Sequence, residues 1–219
     1  MPLEPGQLSF PLGLGYLAAY LRGRGHTVKV LDMYARQMSK TQVEQAVKSL
    51  DTDFVGIGAF STQYTMVKWL AALIKKHRPD MKIALGGPIA TLGYRLALEK
   101  TLVDICVIGE GEVTTAELLE LPAGADLSSL PGIAFRDESG KVFVTPSRTY
   151  IKNLDELPMP EYSLFDMDKY LSTVFMQTTK GNVRARIYGM KVMAVLTGRG
   201  CPYNCQFCSK NFEGVRLRG

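Results

Sequence analysis

The first 120 residues alternate short apolar runs with amphipathic stretches, and this alternation limits the possible folds more than any other feature. Buried strands are expected at residues 27–32, 54–59, 82–86 and 103–108, and helices at 12–21, 41–50, 64–77, 92–100 and 112–119. Strands that alternate with helices form parallel sheets whose two faces are both covered. Residues 1–120 are therefore expected to form an α/β domain with an open, mostly parallel sheet.

The beginning of the chain departs from that pattern. A doubly wound sheet of strand order 2-1-3-4-5 has its first strand in the interior. Here a loop over residues 2–9 comes first, and Pro11 then opens a helix. The second helix is expected to be capped by Thr41, with Glu44 at capping-box spacing. Because the usual first strand is absent, we expect these 219 residues to be part of a longer protein.

Small and polar residues follow the predicted strands at their carboxyl ends, where open α/β sheets bind ligands. Glycines in such loops allow a bulky ligand to approach the backbone closely, and hydroxyls can bind it. An alternative is that these glycines only make tight turns between strand and helix. The candidate binding residues are Ser61, Thr62, Gly86, Gly87, Pro88, Gly109, Glu110 and Gly111.

Residues 121–175 are rich in proline and differ in character from the first 120. Apolar residues at 133–136 and 142–145 flank Glu138-Ser139-Gly140, a pattern that predicts a β-hairpin. The segment 154–160, Leu-Asp-Glu-Leu-Pro-Met-Pro, follows it. We expect residues 121–175 to form a hairpin and a linker, and residues 176–219 to begin a further domain.

Three cysteines near the C-terminus, Cys201, Cys205 and Cys208, have the spacing C-x3-C-x2-C. Three thiolates on one loop can bind three irons of a [4Fe–4S] cluster, which leaves the fourth iron free for another ligand. Gly198 and Gly200 would let the backbone approach the cluster closely.

A structural zinc ion or a disulfide are the alternatives for this loop. Zinc would need a fourth ligand nearby, and no Cys or His follows Cys208. A disulfide is not expected in a chain that has no secretory signal. The remaining cysteine, Cys106, falls in a predicted strand and is expected to be a core residue.

The cysteine loop resembles the signature of the radical S-adenosylmethionine (radical SAM) family, C-x3-C-x-aromatic-C, with Phe207 as the aromatic residue. The resemblance implies that S-adenosylmethionine chelates the fourth iron through its methionine amine and carboxylate. It also implies that the reduced cluster cleaves the sulfonium and that Phe207 lies near the adenine. Residues 192–196 would be the first strand of the family's (β/α) barrel, delivering the loop at its carboxyl end.

The rest of the chain resembles the cobalamin-binding domain that precedes this barrel in one large subgroup. The resemblance is carried by Pro11-Leu12-Gly13-Leu14-Gly15-Tyr16-Leu17, Gly86-Gly87-Pro88 and Gly109-Glu110-Gly111-Glu112. It implies a flavodoxin- or Rossmann-like sheet with cobalamin at the strand ends, and it identifies residues 154–160 as the interdomain linker. The D-x-H-x-x-G cobalt-ligating motif of methionine-synthase-like domains is absent, and His26 and His77 are expected to be structural.

Charge and composition limit the partners. Residues 180–219 have a net charge of +7 within a chain of +5, but no aromatic stacking pattern accompanies the basic residues. Nucleic acid is therefore not the expected partner, and acids of a continuing domain would balance the charge. No apolar run is long enough to span a membrane, which together with an oxygen-sensitive cluster favours the cytoplasm.

The resemblance implies an enzyme that methylates or rearranges an unactivated carbon of a small-molecule substrate, with electrons from a donor such as flavodoxin or ferredoxin. A methylthiotransferase would carry a second cluster on three N-terminal cysteines, whereas only Cys106 occurs there. A noncatalytic binding module with a structural metal is the other alternative. Because one barrel strand is expected in residues 1–219, this segment alone is expected to be inactive.

Overall fold

The computed structural model describes residues 8–122, 124–171, 176–177, 184–185, 193, 195–203, 205–206 and 217–219. Helices and strands alternate from α2 to α5, and two antiparallel strand pairs and a short helix follow. In chain order the elements are α1 Leu12–Gly23, α2 Lys40–Lys48, β1 Phe54–Gly58, α3 Tyr64–His77, β2 Lys82–Gly86, α4 Pro88–Lys100, β3 Ile105–Val107, α5 Gly111–Glu120, β4 Ile133–Arg136, β5 Val142–Val144, α6 Met167–Leu171, β6 Met176–Gln177 and β7 Arg184–Ala185.

The main sheet has five strands in the order β1-β2-β3-β4-β5. β1, β2 and β3 are parallel, as expected, with Gly58 opposite Gly86 and Leu85 opposite Cys106. The hairpin β4–β5 adds to β3 in antiparallel fashion, with Cys106 opposite Ala134. The α/β fold is therefore confirmed, and its sheet is mixed: three parallel strands are followed by the predicted hairpin, which continues the same sheet.

Alternation along the strands divides the core between the two sheet faces. Ile83, Leu85 and Cys106 point to the face covered by α2, α3 and α4. Ala84 and Ile105, their neighbours, belong to a second cluster on the face covered by α5. α1 packs against α5 on that same side. Helices thus cover both faces, which is why Ile83, Ala84 and Leu85 of β2 and all of β3 are apolar and buried.

One expected strand is not formed. Residues 27–32 alternate between exposed and half-buried positions, yet they are not part of a strand. The sheet begins at β1, and within the described residues no strand lies beside 27–32. A strand requires a neighbouring strand that hydrogen-bonds to its backbone. The alternation of apolar residues was therefore not sufficient to predict a strand at 27–32.

The start of α2 also differs from the prediction. Ser39, not Thr41, is the N-cap, and its Oγ accepts a hydrogen bond from Gln42 N at 3.3 Å. Gln42 Oε1 accepts one from Ser39 N at 2.8 Å, which completes a capping box two residues earlier than expected. Glu44 instead contacts His77 of α3.

The segment after the hairpin returns to α1. Glu161 N donates a hydrogen bond to Gly15 O at 2.9 Å, and Glu161 pairs with Arg22 at 2.7 Å. A Cβ on Gly15 would lie 2.9 Å from Cβ of Pro160, so glycine is required for this contact. The end of the predicted linker therefore packs against α1.

The expected first barrel strand, residues 192–196, falls partly outside the described residues. Its described positions, 193, 195 and 196, are not part of a strand. Arg199 forms an isolated antiparallel bridge with Arg218. Within the described ranges, no helix combines the length and apolar composition that crossing a membrane requires.

Gly87→Ala tests the contact between the ends of β1 and β2. Gly87 has φ +85°, and a Cβ there would lie 2.7 Å from Ala59 O. We expect the substitution to lower the free energy of unfolding by about 1–3 kcal/mol, measured by urea denaturation. Gly86→Ala is the matched control, because a Cβ there meets nothing within 4 Å. Equal losses in both variants would contradict this explanation.

Candidate functional site

The parallel register brings the carboxyl ends of β1, β2 and β3 to one edge of the sheet. β1 runs into a 3-10 turn, Ser61–Gln63, which packs against α4. Ser61 and Thr62 are both exposed there, and the preceding Phe60 is 64% exposed. Two hydroxyls and an aromatic ring are thus free to contact a ligand at this edge.

Gly86, Gly87 and Pro88 connect β2 to α4. Ala59 N donates to Gly86 O at 3.2 Å, and Ile89 N donates to Ala59 O at 3.4 Å. Pro88 is the first residue of α4, where its missing N–H costs nothing. The backbone contact with Ala59 is sufficient to explain glycine at position 87. This agrees with the alternative that such glycines only make tight turns between strand and helix. Gly86, by contrast, borders open space.

Gly109, Glu110 and Gly111 connect β3 to α5. Gly109 has φ +82°, and its N–H donates to Thr91 Oγ1 of α4 at 3.1 Å. A cavity of about 270 Å³ opens beside this turn. Its lining includes Thr91, Leu92, Gly109, Glu110, Val113 and Tyr150.

Glu110 and Glu112 form a buried ionic network with two arginines of the C-terminal segment. Arg199 Nη2 donates to Glu112 Oε1 at 2.6 Å, and Arg199 Nη1 lies 3.3 Å from Glu110 Oε1. Arg218 Nη2 donates to Glu110 Oε1 at 2.9 Å. Side-chain exposure is 8% for Glu110, 5% for Glu112, 16% for Arg199 and 14% for Arg218. The two guanidinium groups and the two carboxylates therefore neutralise one another inside the fold.

The protonation of this network is fixed by its contacts. Burial raises the pKa of Glu110, but hydrogen bonds from Arg218, Ile151 N and Arg199 outweigh burial and lower it below its ordinary value. Burial lowers the pKa of Arg199, but the carboxylates of Glu112 and Glu110 outweigh burial and raise this pKa above its ordinary value. Both groups therefore stay charged at neutral pH.

The predicted cluster ligands are only partly described. Cys201 and Cys205 are exposed free thiols. Cys208 and Phe207 lie outside the described residues. In the described part of the chain, no group of three His, Cys, Asp or Glu residues could hold a metal ion.

Cys106 has a different environment from the loop cysteines. It is fully buried in β3, and burial raises the pKa of its thiol to about 12. A thiol that stays protonated and inaccessible is a poor ligand, so its expected role in the core is confirmed.

The two histidines lie away from the strand ends, as expected. His77 Nε2 is 3.0 Å from Glu44 Oε1, which joins α3 to α2. His26 Nε2 is 3.9 Å from Glu120 Oε1 at the end of α5. Both therefore contact carboxylates of neighbouring helices.

The strand-end surface fits a large, partly apolar cofactor. Open space beside Gly86, exposed hydroxyls on Ser61 and Thr62 and the exposed ring of Phe60 occur at the same edge. Cys201 and Cys205, the two loop thiols that the structure describes, are exposed and therefore accessible to a metal ion.

Sequence reasoning identified Glu110 but missed its partners. Glu112, Arg199 and Arg218 were not predicted as a unit, and 87 positions separate Glu112 from Arg199. The sequence signal that could have indicated this network was the opposite charge of two segments. A Gly-Glu-Gly-Glu strand end and an arginine-rich, acid-poor tail occur in one chain.

Comparison with known proteins gives one family match, to the B12 binding domain over residues 3–119. An uncharacterized methyltransferase of Pyrococcus horikoshii is 35% identical over 212 residues, which cover 95% of this chain and 42% of that protein. The cobalamin-dependent radical SAM methyltransferase TokK of Streptomyces tokunonensis is 27% identical over 222 residues, covering 95% and 31%. The chain thus spans less than half the length of these curated relatives.

Among solved structures, the apo form of the cobalamin-dependent S-adenosylmethionine radical enzyme OxsB superposes with a TM-score of 0.71 at 23% identity. The match covers 94% of this chain and 26% of that one. At this level of identity the likeness establishes a shared fold.

Glu110→Gln tests the pH dependence of the network. Glu110 has a lowered pKa in the folded chain, so its carboxylate stabilises the fold above the unfolded pKa of 4.5, and this contribution is lost as pH falls through the folded value. At pH 7 we expect the substitution to cost about 1–3 kcal/mol in urea denaturation, because Arg218 loses a buried partner.

Below pH 4.5 the difference between Glu110→Gln and the unaltered chain should shrink. Glu99→Gln, an exposed position on α4, is the control and should change little at either pH. A pH-independent difference for Glu110→Gln would show that its charge does not matter.

Proposed function

The chain belongs to the B12-binding domain family, and from this premise we propose that it is the cobalamin-binding part of a radical SAM enzyme. Cobalamin would lie against the carboxyl ends of β1, β2 and β3. The family match over residues 3–119 is the observation that carries the proposal. The open strand-end surface supports it, because it offers glycine backbone, hydroxyls and an exposed ring at one edge.

The residues proposed to contact cobalamin are those that border this edge. Ser61 and Thr62 would donate hydrogen bonds from the 3-10 turn, and Gly86 would leave room for the ring system. Gly87, Pro88, Gly109, Glu110 and Gly111 would line the same side. Since neither histidine lies at a strand end, a lower axial histidine from this chain is not part of the proposal.

The second element of the proposal is a [4Fe–4S] cluster on Cys201, Cys205 and Cys208. A cluster with three protein thiolates leaves one iron for S-adenosylmethionine, and Phe207 would contact the adenine. When bound, the cluster supplies the electron for reductive cleavage of S-adenosylmethionine. TokK, a named radical SAM methyltransferase, aligns with 95% of this chain and supports this assignment.

We propose methyl transfer to an unactivated carbon of a small molecule as the reaction class, with rearrangement as the alternative. The methyltransferase names of the Pyrococcus horikoshii protein and TokK, two of the curated relatives, favour methyl transfer. A flavodoxin or ferredoxin would supply electrons, and the oxygen sensitivity of such a cluster favours the cytoplasm. Pairing of Arg199 and Arg218 with carboxylates argues against nucleic acid as the reason for the basic tail.

The alternatives agree less well with the structure. A methylthiotransferase needs three further ligating cysteines, and Cys106, the one cysteine before residue 201, is fully buried. A noncatalytic module with a structural metal would bind metal without any response to S-adenosylmethionine. The cluster experiment described next separates that alternative from the enzyme.

Cobalamin binding is tested by equilibrium dialysis of hydroxocobalamin with residues 1–219. We expect Ser61→Trp to weaken binding at least about tenfold, because an indole at the strand ends would occupy the ligand's space. Ser49→Trp is the matched control, since Ser49 is an exposed serine at the end of α2 and precedes the amino end of β1, not its carboxyl end. Equal affinity of both variants would contradict the site, and no binding by the unaltered chain would contradict the cofactor.

Cluster assembly is tested by anaerobic reconstitution. We expect Cys201→Ala, Cys205→Ala and Cys208→Ala each to lose bound iron and sulfide, whereas Cys106→Ala keeps them. Addition of S-adenosylmethionine should alter the electron paramagnetic resonance spectrum of the reduced cluster, because it ligates one iron. A spectrum that does not respond would favour the structural metal, and iron loss in Cys106→Ala would overturn the ligand assignment.

A further inference from the structure

The Glu110–Glu112–Arg199–Arg218 network joins the sheet edge to the segment that carries the cysteines. Arg199 comes two residues before Cys201, and Arg218 follows the last cysteine. Glu110 precedes α5, and Glu112 lies in its first turn. One cluster of charges thus connects the cobalamin side of the fold with both ends of the cysteine loop.

The arginine side chains are fixed in orientation as well as in charge. Arg199 contacts Glu110, Glu112 and the ring of Tyr16 from α1, whose centroid is 5.1 Å from its guanidinium carbon. Arg218 lies 5.3 Å from the ring centroid of Tyr150 and also donates to Ile151 O. A planar guanidinium held by carboxylates at its edge and an aromatic ring at its face has little rotational freedom.

The backbone closes the loop at the same place. Arg199 N donates to Arg218 O and Arg218 N donates to Arg199 O, both at 2.8 Å. A Cβ on Gly198 would lie 2.7 Å from Arg218 O, so this closure requires glycine. Residues 200–217, which contain all three cysteines of the loop, therefore begin and end at one bridge.

Burial makes the removal of either partner of these ion pairs costly. Side-chain exposures of 5–16% remove most of the water that screens surface ion pairs. Loss of one partner leaves a buried charge unpaired, which is strongly destabilising. The surface pair Arg24–Glu120, with exposures of 46% and 38%, has no such constraint.

We propose that Glu110 and Glu112 are positioning residues for the cysteine loop. They fix Arg199 and Arg218, and through the bridge they hold the two ends of the cysteine loop beside the turn that follows β3. This inference rests on the proposed function, since the loop is taken to carry the cluster and the edge to carry cobalamin. Neither glutamate contacts the reacting atoms in this role.

The test is a double-mutant cycle with Glu112→Gln, Arg199→Gln and both together. The first readout is hydrogen exchange of the Arg199 and Arg218 amides in residues 1–219 without a cluster. Each single variant should raise these exchange rates by about tenfold, because the bridge loses its anchor. The double variant should not exceed the faster single variant, since the two side chains act as one unit.

The second readout is the cluster after reconstitution. Glu112→Gln should shift the midpoint potential and the electron paramagnetic resonance spectrum of the cluster and speed iron loss to a chelator. A merely structural ion pair would change stability without altering the spectrum. Glu117→Gln is the matched control, because Glu117 lies on the same helix but pairs with Arg148, outside the cysteine loop.

Tyr16→Leu is a milder variant for the case in which Glu112→Gln does not fold. It removes the ring beside Arg199 and leaves both carboxylates, so a smaller change in the same direction is expected. Unchanged amide exchange in folded variants, additive effects in the cycle, or faster exchange with an unaltered cluster spectrum would each overturn the positioning role. If the unaltered chain assembles no cluster, the proposed function fails, and the exchange data alone decide whether the glutamates anchor the loop.

Discussion

Parallel pairing of β1, β2 and β3 is the constraint on which the rest of this structure depends. Strands that run in the same direction end at the same edge, so the turns after Gly58, Gly86 and Val107 become neighbours although about 50 positions separate the first from the last. The core supports this arrangement. Leu85 and Cys106 lie side by side beneath α4, while Ala84 and Ile105 face the opposite layer. The surface at the strand ends is thus a consequence of the parallel pairing of β1, β2 and β3.

The parts of the fold that sequence reasoning predicted well are those determined by local pattern. The helix Tyr64–His77 was found with the predicted bounds, because its apolar positions recur at helical spacing and face the core at Val67, Leu70 and Ile74. The hairpin at β4–β5 was also located. In contrast, residues 27–32 have a strand-like pattern without a strand, since pairing depends on a neighbour that the pattern does not specify.

The candidate site could be predicted in part for the same reason. The strand-end residues follow from the sheet topology, and the cysteine loop follows from spacing. The pairing of Glu112 with Arg199 could not be predicted. A single sequence shows which residues are charged, but it does not show which of them meet when 87 positions separate them. Gly87 shows a different limit of sequence reasoning. Its conformation is explained by contact with Ala59, so the glycine alone is not evidence for a ligand.

The bridge between Arg199 and Arg218 has an entropic consequence for metal assembly. Three thiolates on an open segment must be collected from a wide range of conformations, whereas residues 200–217 are already closed into a ring by two backbone hydrogen bonds. Chain-entropy arguments place the cost of closing a loop of this length on the order of 3 kcal/mol. If the three cysteines bind the proposed cluster, the fold would meet that cost before iron binds, and the loop would be a partly preorganised chelator.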